Sequence, residues 1–271
     1  MENFMLAIPS KGAVGKLRSK TVDKLFPLLK LPESTFMFVY PEEKTAYEKE
    51  YPGLKLWEVT GGRGISYKRK FIINTAKEKK MKYVIMIDDD LNLIQSCNEK
   101  KFPISKILFE MVRIAQRDNL GILSPLNKMM LYFKYHTNDF SKVDIETNKV
   151  TYAHIFWLID VEKALSIDNF DDETSTGDDI DFSIRMRMGG YKVKEYTRAL
   201  YYSIPPKNRK GGGLFLMYRD KKIMEKGVKY LQEKYKNCKF VKFFATNQDC
   251  EKIGYLKARV LWKEMEDFYQ K

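Results

Sequence analysis

The feature that most constrains this chain is Tyr83–Ile87, a short apolar run that ends directly in Asp88, Asp89 and Asp90. The run is bounded by charge on both sides and is too short for a comfortable helix, so it reads as a buried strand. In an open α/β sheet, ligands bind in the crevice beyond the carboxyl ends of the strands. Adjacent carboxylates placed there repel one another unless a cation sits among them. In an extended continuation of the strand, alternate residues point the same way. Asp88 and Asp90 would then share one cation while Asp89 faces elsewhere. Hard oxygen ligands of this kind suit Mg2+ or Mn2+ bridged to phosphates. The bland alternative is a solvated acidic turn, which needs no unbroken run of like charges against an apolar strand.

Upstream, Phe4–Ile8, Thr35–Tyr40 and Leu54–Val59 read as strands. They are separated by a helix over Val14–Leu29 and a short helix opened by Pro41, Glu42 and Glu43, residues suited to a first helical turn. This β-α-β-α-β spacing predicts a parallel sheet with crossover helices, a nucleotide-binding half of doubly-wound type. Downstream, Ile104, Ile107, Leu108, Met111 and Ala115 form a helical stripe. Gly121–Ser124, Met129–His136, Val150–Asp160 and Tyr191–Ser203 are strand-like, with a polar hairpin excursion over Asn138–Lys149. Tyr218–Tyr235 and Gln248–Tyr269 are helical in pattern. The 271 residues suffice for one large α/β domain with an appendage.

A hydrophobic content of 44% excludes a disordered chain. The net charge of +13 points to an acidic partner, nucleic acid or anionic sugar-phosphates, although a merely soluble basic protein fits that number too. The charge is concentrated: Lys207–Lys242 holds 12 Lys/Arg against Asp220, Glu225 and Glu233, a net +9. Aromatic residues from Phe215 to Phe244 are interleaved there, as on a nucleic-acid face, though most of them belong to a core. Cys97, Cys238 and Cys250 lack paired metal spacing and read as reduced thiols. No signal peptide precedes Phe4 and no apolar run approaches the ~18 residues of a membrane span, so a soluble cytoplasmic protein is expected. His136 and His154 read as strand residues satisfied by hydrogen bonds, since histidine ligands usually come in clusters.

Three further motifs carry chemistry. Gly61-Gly62-Arg63-Gly64 leads into an amphipathic helix with Ile65, Ile72 and Ala76 on one face. Glycines let backbone N–H groups approach a phosphate, and Arg63, Lys68 and Arg69 add charge. The spacing matches neither the P-loop nor the dinucleotide pattern, and a tight turn with a solvated basic helix is the competing reading. The second acidic cluster runs from Asp171 to Asp181, and Gly189-Gly190 ends the helix that follows. One of Asp178 and Asp179 is expected to be an N-cap. The other would act as general base towards a hydroxyl, its pKa lowered by the helix N-terminus. Finally, Lys207-Asn208-Arg209-Lys210 precedes Gly211-Gly212-Gly213, either a lid over phosphates or a linker.

In this order the motifs resemble a glycosyltransferase of the GT-A fold. More narrowly, AIPSKGAVGKLR, GGRGISYKR and VIMIDDDLNL resemble the glycosyltransferases associated with TET/JBP-type dioxygenases. Those are largely bacteriophage enzymes inferred to decorate hydroxymethylated pyrimidines in DNA. The resemblance covers about the first 200 residues and leaves the C-terminal helices unmatched. It implies a GT-A core over 1–205, with a nucleotide-sugar half (1–100) and an acceptor half (101–205). A basic lid loop and C-terminal helices would occupy 206–271.

The resemblance further implies that Ile8, Pro9, Ser10 and Arg18 line a uridine pocket. Gly62, Arg63 and Arg69 would approach the diphosphate or the base, and Lys207, Arg209 and Lys210 would close over the diphosphate. Asp88 and Asp90 would hold Mn2+ or Mg2+, with Asp89 near the donor sugar. Asp178 or Asp179 would deprotonate the acceptor. Many enzymes of this fold also supply a C-terminal histidine to the metal. No histidine lies beyond His154 here, so Asn208, Ser203 or water would take that place. The implied partners are a UDP-sugar and double-stranded DNA carrying 5-hydroxymethylcytosine or a related base, in the host cytoplasm if the chain is phage-encoded. The competing readings keep the fold with a saccharide or protein acceptor, or replace it with a phosphatase of the haloacid dehalogenase type. The latter is disfavoured by Asn92, which stands where that family carries Thr or Val.

Overall fold

A computed structural model describes residues 3–10, 20–25, 35–96, 104–127, 155–174, 176–203, 221–244 and 257–270. Arg18, Lys207, Asn208, Arg209, Lys210, Cys97, Cys250 and both histidines lie outside the described residues, as do Met129–His136 and the expected hairpin excursion. The helix expected over Val14–Leu29 is described only as α1 (Lys20–Leu25).

The first strands are β1 (Phe4–Pro9), β2 (Thr35–Val39), β3 (Leu56–Glu58) and β4 (Tyr83–Ile87). They pair in parallel in the order β3-β2-β1-β4, as the β-α-β-α-β spacing requires. Helices α2 (Pro41–Glu50) and α3 (Ile65–Glu78) make the crossovers. Beyond β4 the sheet becomes mixed. β7 (Phe156–Asp160) runs antiparallel to β4, and β6 (Ile122–Asn127) antiparallel to β7. β8 (Val193–Ser203) is parallel to β6, and β5 (Leu91–Ser96) closes the edge antiparallel to β8. The result is one eight-stranded sheet. β5 falls within the first 100 residues yet sits at the far edge, so the two expected halves interleave in space.

Both faces of the central strands are buried, which is why they read as unbroken apolar runs. Phe4, Leu6, Tyr83, Ile85, Ile87, Phe156 and Leu158 turn to one face. There α4 (Ile104–Arg117) covers them with Ile107, Leu108, Met111 and Ala115, the stripe expected from sequence. Met5, Ala7, Val84, Met86, Trp157 and Ile159 turn to the other. That face is covered by α3, by α5 (Val161–Ser166) and by α6 (Asp178–Met188). The Trp157 indole meets Phe170 and Phe182 edge-on, while those two rings stack at 3.9 Å.

The C-terminal part is not wholly helical. After α7 (Lys221–Lys234), β9 (Val241–Phe244) pairs antiparallel with β10 (Lys257–Val260), and only Trp262–Tyr269 forms the last helix, α8. Expected helix over Gln248–Tyr269 thus gives way to strand at Lys257–Val260, where Phe243 and Val241 of the partner strand are buried. This module packs Leu231, Tyr235, Phe240, Phe243 and Met265 against Ile180 and Ile184 of α6. Those aromatics therefore belong to a core. Trp157→Ala should cost about 3–5 kcal/mol of folding stability, measurable by urea unfolding, because it empties a large site between rigid rings.

Candidate active site

β4 delivers its aspartates as the strand ends. Asp89 and Asp90 form a turn, and the chain re-enters the sheet as β5 at Leu91. The extended continuation expected from sequence is thus replaced by a turn, because β5 must reverse direction to pair with β8. Thr21 of α1 pins this turn: its hydroxyl donates to the Asp88 carbonyl (2.5 Å) and accepts from the Leu91 N–H (2.9 Å), while its own N–H donates to the Asp89 carbonyl (3.2 Å). The Asp88 N–H donates to the Ile155 carbonyl (2.8 Å). Ile155 has φ 68°, a region that a β-branched residue rarely adopts.

The side chains diverge. Asp88 turns to Arg69 of α3, whose Nη2 donates to both carboxylate oxygens (3.1 and 3.0 Å). The other terminal nitrogen, Nη1, donates to Asp178 at the start of α6 (2.5 Å). One buried guanidinium therefore joins the two acidic motifs, 90 residues apart in sequence, and it lies 4.8 Å from the centre of the Trp157 ring. Asp89 turns the other way and accepts from the Ser10 hydroxyl (2.5 Å), which also bonds the Tyr47 hydroxyl (2.5 Å). Lys68 holds this loop from beneath, its ammonium donating to the carbonyls of Ser10 and of Phe38 (3.1 Å). Ile8 is a core residue among Val22, Met37 and Val39, and Pro9 is the last residue of β1.

Lys68 and Arg69, expected at the phosphate, are instead buried and committed to the protein. Among the cations of this motif, Arg63 is the exposed one, paired with Glu42 and lying 4.4 Å from the centre of the Tyr40 ring. The Tyr40 hydroxyl pins the glycine turn, accepting from the Gly64 N–H (2.9 Å) and donating to its carbonyl (3.2 Å). Gly64 begins α3 with φ 97° and no side-chain cap. At Gly62 any Cβ would overlap the Tyr67 ring, so this glycine is required by close packing within the turn itself.

The second acidic motif begins α6, but neither Asp178 nor Asp179 is its N-cap. Gly177 takes that place in the left-handed region (φ 72°), and both aspartates stand in the first turn. The Asp179 carboxylate accepts from the Ile180 N–H (2.9 Å). The expected lowering of a base pKa by the helix N-terminus is also overturned for Asp179. Burial, and then the neighbouring Asp178 charge, push it up to about 7. Burial likewise raises Asp88 to about 6, with Arg69 opposing, and Asp89 to about 7, with Asp90 adding to the rise. Arg69 is held above its ordinary value: burial alone would lower it, but Asp178, Asp88 and Asp179 outweigh that.

Over residues 4–212 the sequence matches the family described as TET-Associated Glycosyltransferase. The chain belongs to this family. It is a glycosyltransferase, and its mixed sheet is of the GT-A type. The glucosyl-3-phosphoglycerate synthase of Mycobacterium tuberculosis, solved with Mg2+ and UDP, superposes with a TM-score of 0.53 at 11% identity, covering 97% of this chain and 92% of its own. TarS 1-349 of S. aureus, solved with UDP-GlcNAc, gives 0.50 at 12% identity, covering 86% and 73%. At such identity the likeness concerns the fold alone. No curated protein matches the sequence.

Of the two carboxylates expected to hold a divalent ion, Asp88 and Asp90, the first is engaged by Arg69 through both oxygens, and the Asp90 charge raises the pKa values of Asp88 and Asp89. Carboxylate oxygens fit Mg2+ or Mn2+. Among the described residues no group of three His, Cys, Asp or Glu is arranged to hold a metal. Ser203 pairs with Leu91 across β5 and β8, one residue from the aspartate turn. Among the described residues, no helix is long and apolar enough to cross a membrane.

Sequence reasoning missed Thr21, Tyr40, Tyr47 and Trp157, none of which carries a motif signal. Arg69→Met leaves Asp88 and Asp178 buried without their shared cation and should cost about 3–5 kcal/mol in urea unfolding without divalent ions. Asp88, Asp89 and Asp179 all titrate higher in the folded chain than the ordinary value near 4. The folded chain therefore binds more protons than the unfolded one between about pH 4 and 7, and these groups lose stability as pH rises through that window. The metal-free protein should melt several degrees lower at pH 7.5 than at pH 5.5, and Mn2+ should restore part of the loss at pH 7.5 in scanning calorimetry.

Proposed function

We propose that this glycosyltransferase moves a sugar from a UDP-sugar to the hydroxyl of 5-hydroxymethylcytosine, or a related hydroxymethylpyrimidine, in double-stranded DNA. The observation that carries the reading is the junction at Arg69. It sets the aspartate turn after β4 and a second carboxylate motif side by side in a family described as TET-associated. The neighbours of similar fold, solved with UDP and Mg2+ or with UDP-GlcNAc, support a UDP-sugar donor and a divalent ion.

Asp88 and Asp90 would hold that ion against the donor diphosphate. Once bound, the ion supplies charge stabilisation to the departing UDP. Arg63, exposed at the rim of the glycine turn, is available to a diphosphate oxygen. Lys68, Ser10 and Tyr47 keep Asp89 at the donor side, and Arg18, Lys207, Arg209 and Lys210 complete the donor site in this reading. Asp179, whose carboxyl pKa is raised by burial and by the neighbouring Asp178 charge, is the group assigned to accept the acceptor's proton. As the anomeric carbon–oxygen bond to UDP breaks, the acceptor oxygen forms the new bond to that carbon and its proton passes to Asp179. A hydroxyl nucleophile and a carboxylate base suit an inverting displacement.

The acceptor assignment rests on chemistry and charge. A C5 substituent of cytosine points into the major groove and is accessible to a docked enzyme, with flipping as the other route. Lys222, Lys226 and Lys229 are exposed at helical spacing along α7, within the +9 segment, and suit a phosphate backbone. A second reading, a saccharide or phosphorylated small acceptor on the same fold, draws on the glucosyl-3-phosphoglycerate synthase likeness.

The test measures UDP release with Mn2+ and a panel of UDP-sugars on duplex DNA with and without 5-hydroxymethylcytosine, followed by mass spectrometry of the nucleosides. One sugar added to the hydroxymethylated base alone, lost in Asp88→Ala and reduced at least about 100-fold in Asp179→Asn, is expected. DNA affinity should fall steeply with added salt. Donor turnover without DNA transfer, or salt-independent affinity, would point to the saccharide or small-acceptor reading.

A further inference from the structure

The second acidic motif is gripped from two sides. On one side α3 holds it. The Ser66 hydroxyl donates to the Thr174 carbonyl (2.7 Å), Lys70 pairs with Asp172 (2.9 Å), and Arg69 binds Asp178. On the other side α7 and the turn after it reach the same segment. The Lys234 ammonium lies against both Asp171, at the start of the acidic loop, and Asp181, in the first turn of α6 (2.8 Å to the latter). The Tyr230 hydroxyl donates to Asp171 (2.5 Å) and the Tyr235 hydroxyl to Asp181 (2.7 Å), whose other oxygen accepts from Arg185 (2.8 Å). Asp181 is 1% exposed. Asp178 and Asp179 lie between these two anchor points.

Packing alone would not ask for this. Ile180 and Ile184 already dock the C-terminal module through Leu231, Tyr235 and Phe243. Adding an ammonium and two hydroxyls to nearly buried carboxylates carries a desolvation cost that apolar side chains would avoid. What charge-assisted hydrogen bonds add is fixed geometry. The module also lies beyond residue 212, where the family match ends.

We infer that α7 is a positioning element for the acceptor-side carboxylates, with Lys234 at its centre. The inference rests on the reading of Asp178 and Asp179 given above. Lys234 reaches no reacting atom; it fixes where the loop and the first turn of α6 stand relative to the aspartate turn of β4. In this arrangement the C-terminal module does more than carry positive charge: it sets the distance between the donor and acceptor sides of the site.

The test compares Lys234→Met and Lys234→Arg in the full chain. It reads kcat and KM for DNA transfer, UDP affinity by calorimetry with Mn2+, and amide hydrogen exchange. Lys234→Met should lower kcat by about 10–100-fold through misplacement of the base, leave UDP affinity within about twofold, and speed exchange over 171–184 but not over 83–96. Lys234→Arg, which keeps the charge, should recover most of kcat. Unchanged kcat and exchange in Lys234→Met would overturn the inference. So would a loss of kcat matched by lost UDP affinity and faster exchange throughout β4, since that pattern marks general destabilisation. If Lys234→Met does not fold, Tyr235→Phe removes a single hydroxyl and should show the same pattern at smaller amplitude; wild-type behaviour there would equally overturn it. A wild-type enzyme that transfers no sugar to DNA would sink the acceptor reading, and the exchange comparison would still decide whether α7 holds the loop.

Discussion

The architecture of this site depends on one buried cation. Asp88 and Asp178 belong to motifs 90 residues apart that follow the adjacent strands β4 and β7, and each is drawn largely out of water. Two carboxylates in that setting would repel and would favour protonation. The Arg69 guanidinium answers both with separate nitrogens of one rigid plane, a service the single ammonium of lysine performs less well. Trp157 supplies the apolar floor beneath it, and that indole is itself fixed by Phe170 and Phe182. The position of α3, the direction of β7 and the start of α6 are thereby tied to the same charge balance.

A second division of labour follows from where the cations went. Lys68 and Arg69 adjoin each other on α3, yet Lys68 serves backbone carbonyls of the β1 loop and β2 while Arg69 serves side-chain carboxylates. Both stabilise the protein scaffold around the site, and the rim is left to Arg63. The glycines before α3 are explained as much by Tyr67 and Tyr40 crowding the turn as by any approach of phosphate.

Much of the fold was legible because parallel strands buried on both faces must be continuously apolar, and β1, β2 and β4 are. The stripe on α4 was equally readable, since one side of that helix faces the sheet and the other water. β5 was not: its start is hidden behind three aspartates that look like the opening of a loop. The β9–β10 pair escaped for a different reason: β10 lies inside the stretch Gln248–Tyr269 read as helix, and β9 in a stretch to which no element was assigned. On α3 the expected inward face of Ile65, Ile72 and Ala76 was too narrow. Lys68 and Arg69 are buried there because each finds partners inside, which periodicity cannot foresee. The acidic motifs themselves were found from residue type alone. Their mutual contact was not, because it runs through a residue that sequence had assigned to solvent and phosphate.

Ile155 stands in a backbone region that costs a β-branched residue roughly 1–3 kcal/mol, and its carbonyl receives the N–H of Asp88. Glycine or asparagine at this position would relieve the strain. The same change would loosen the peptide that seats Asp88. A firmer fold and a well-seated carboxylate therefore make opposite demands on residue 155.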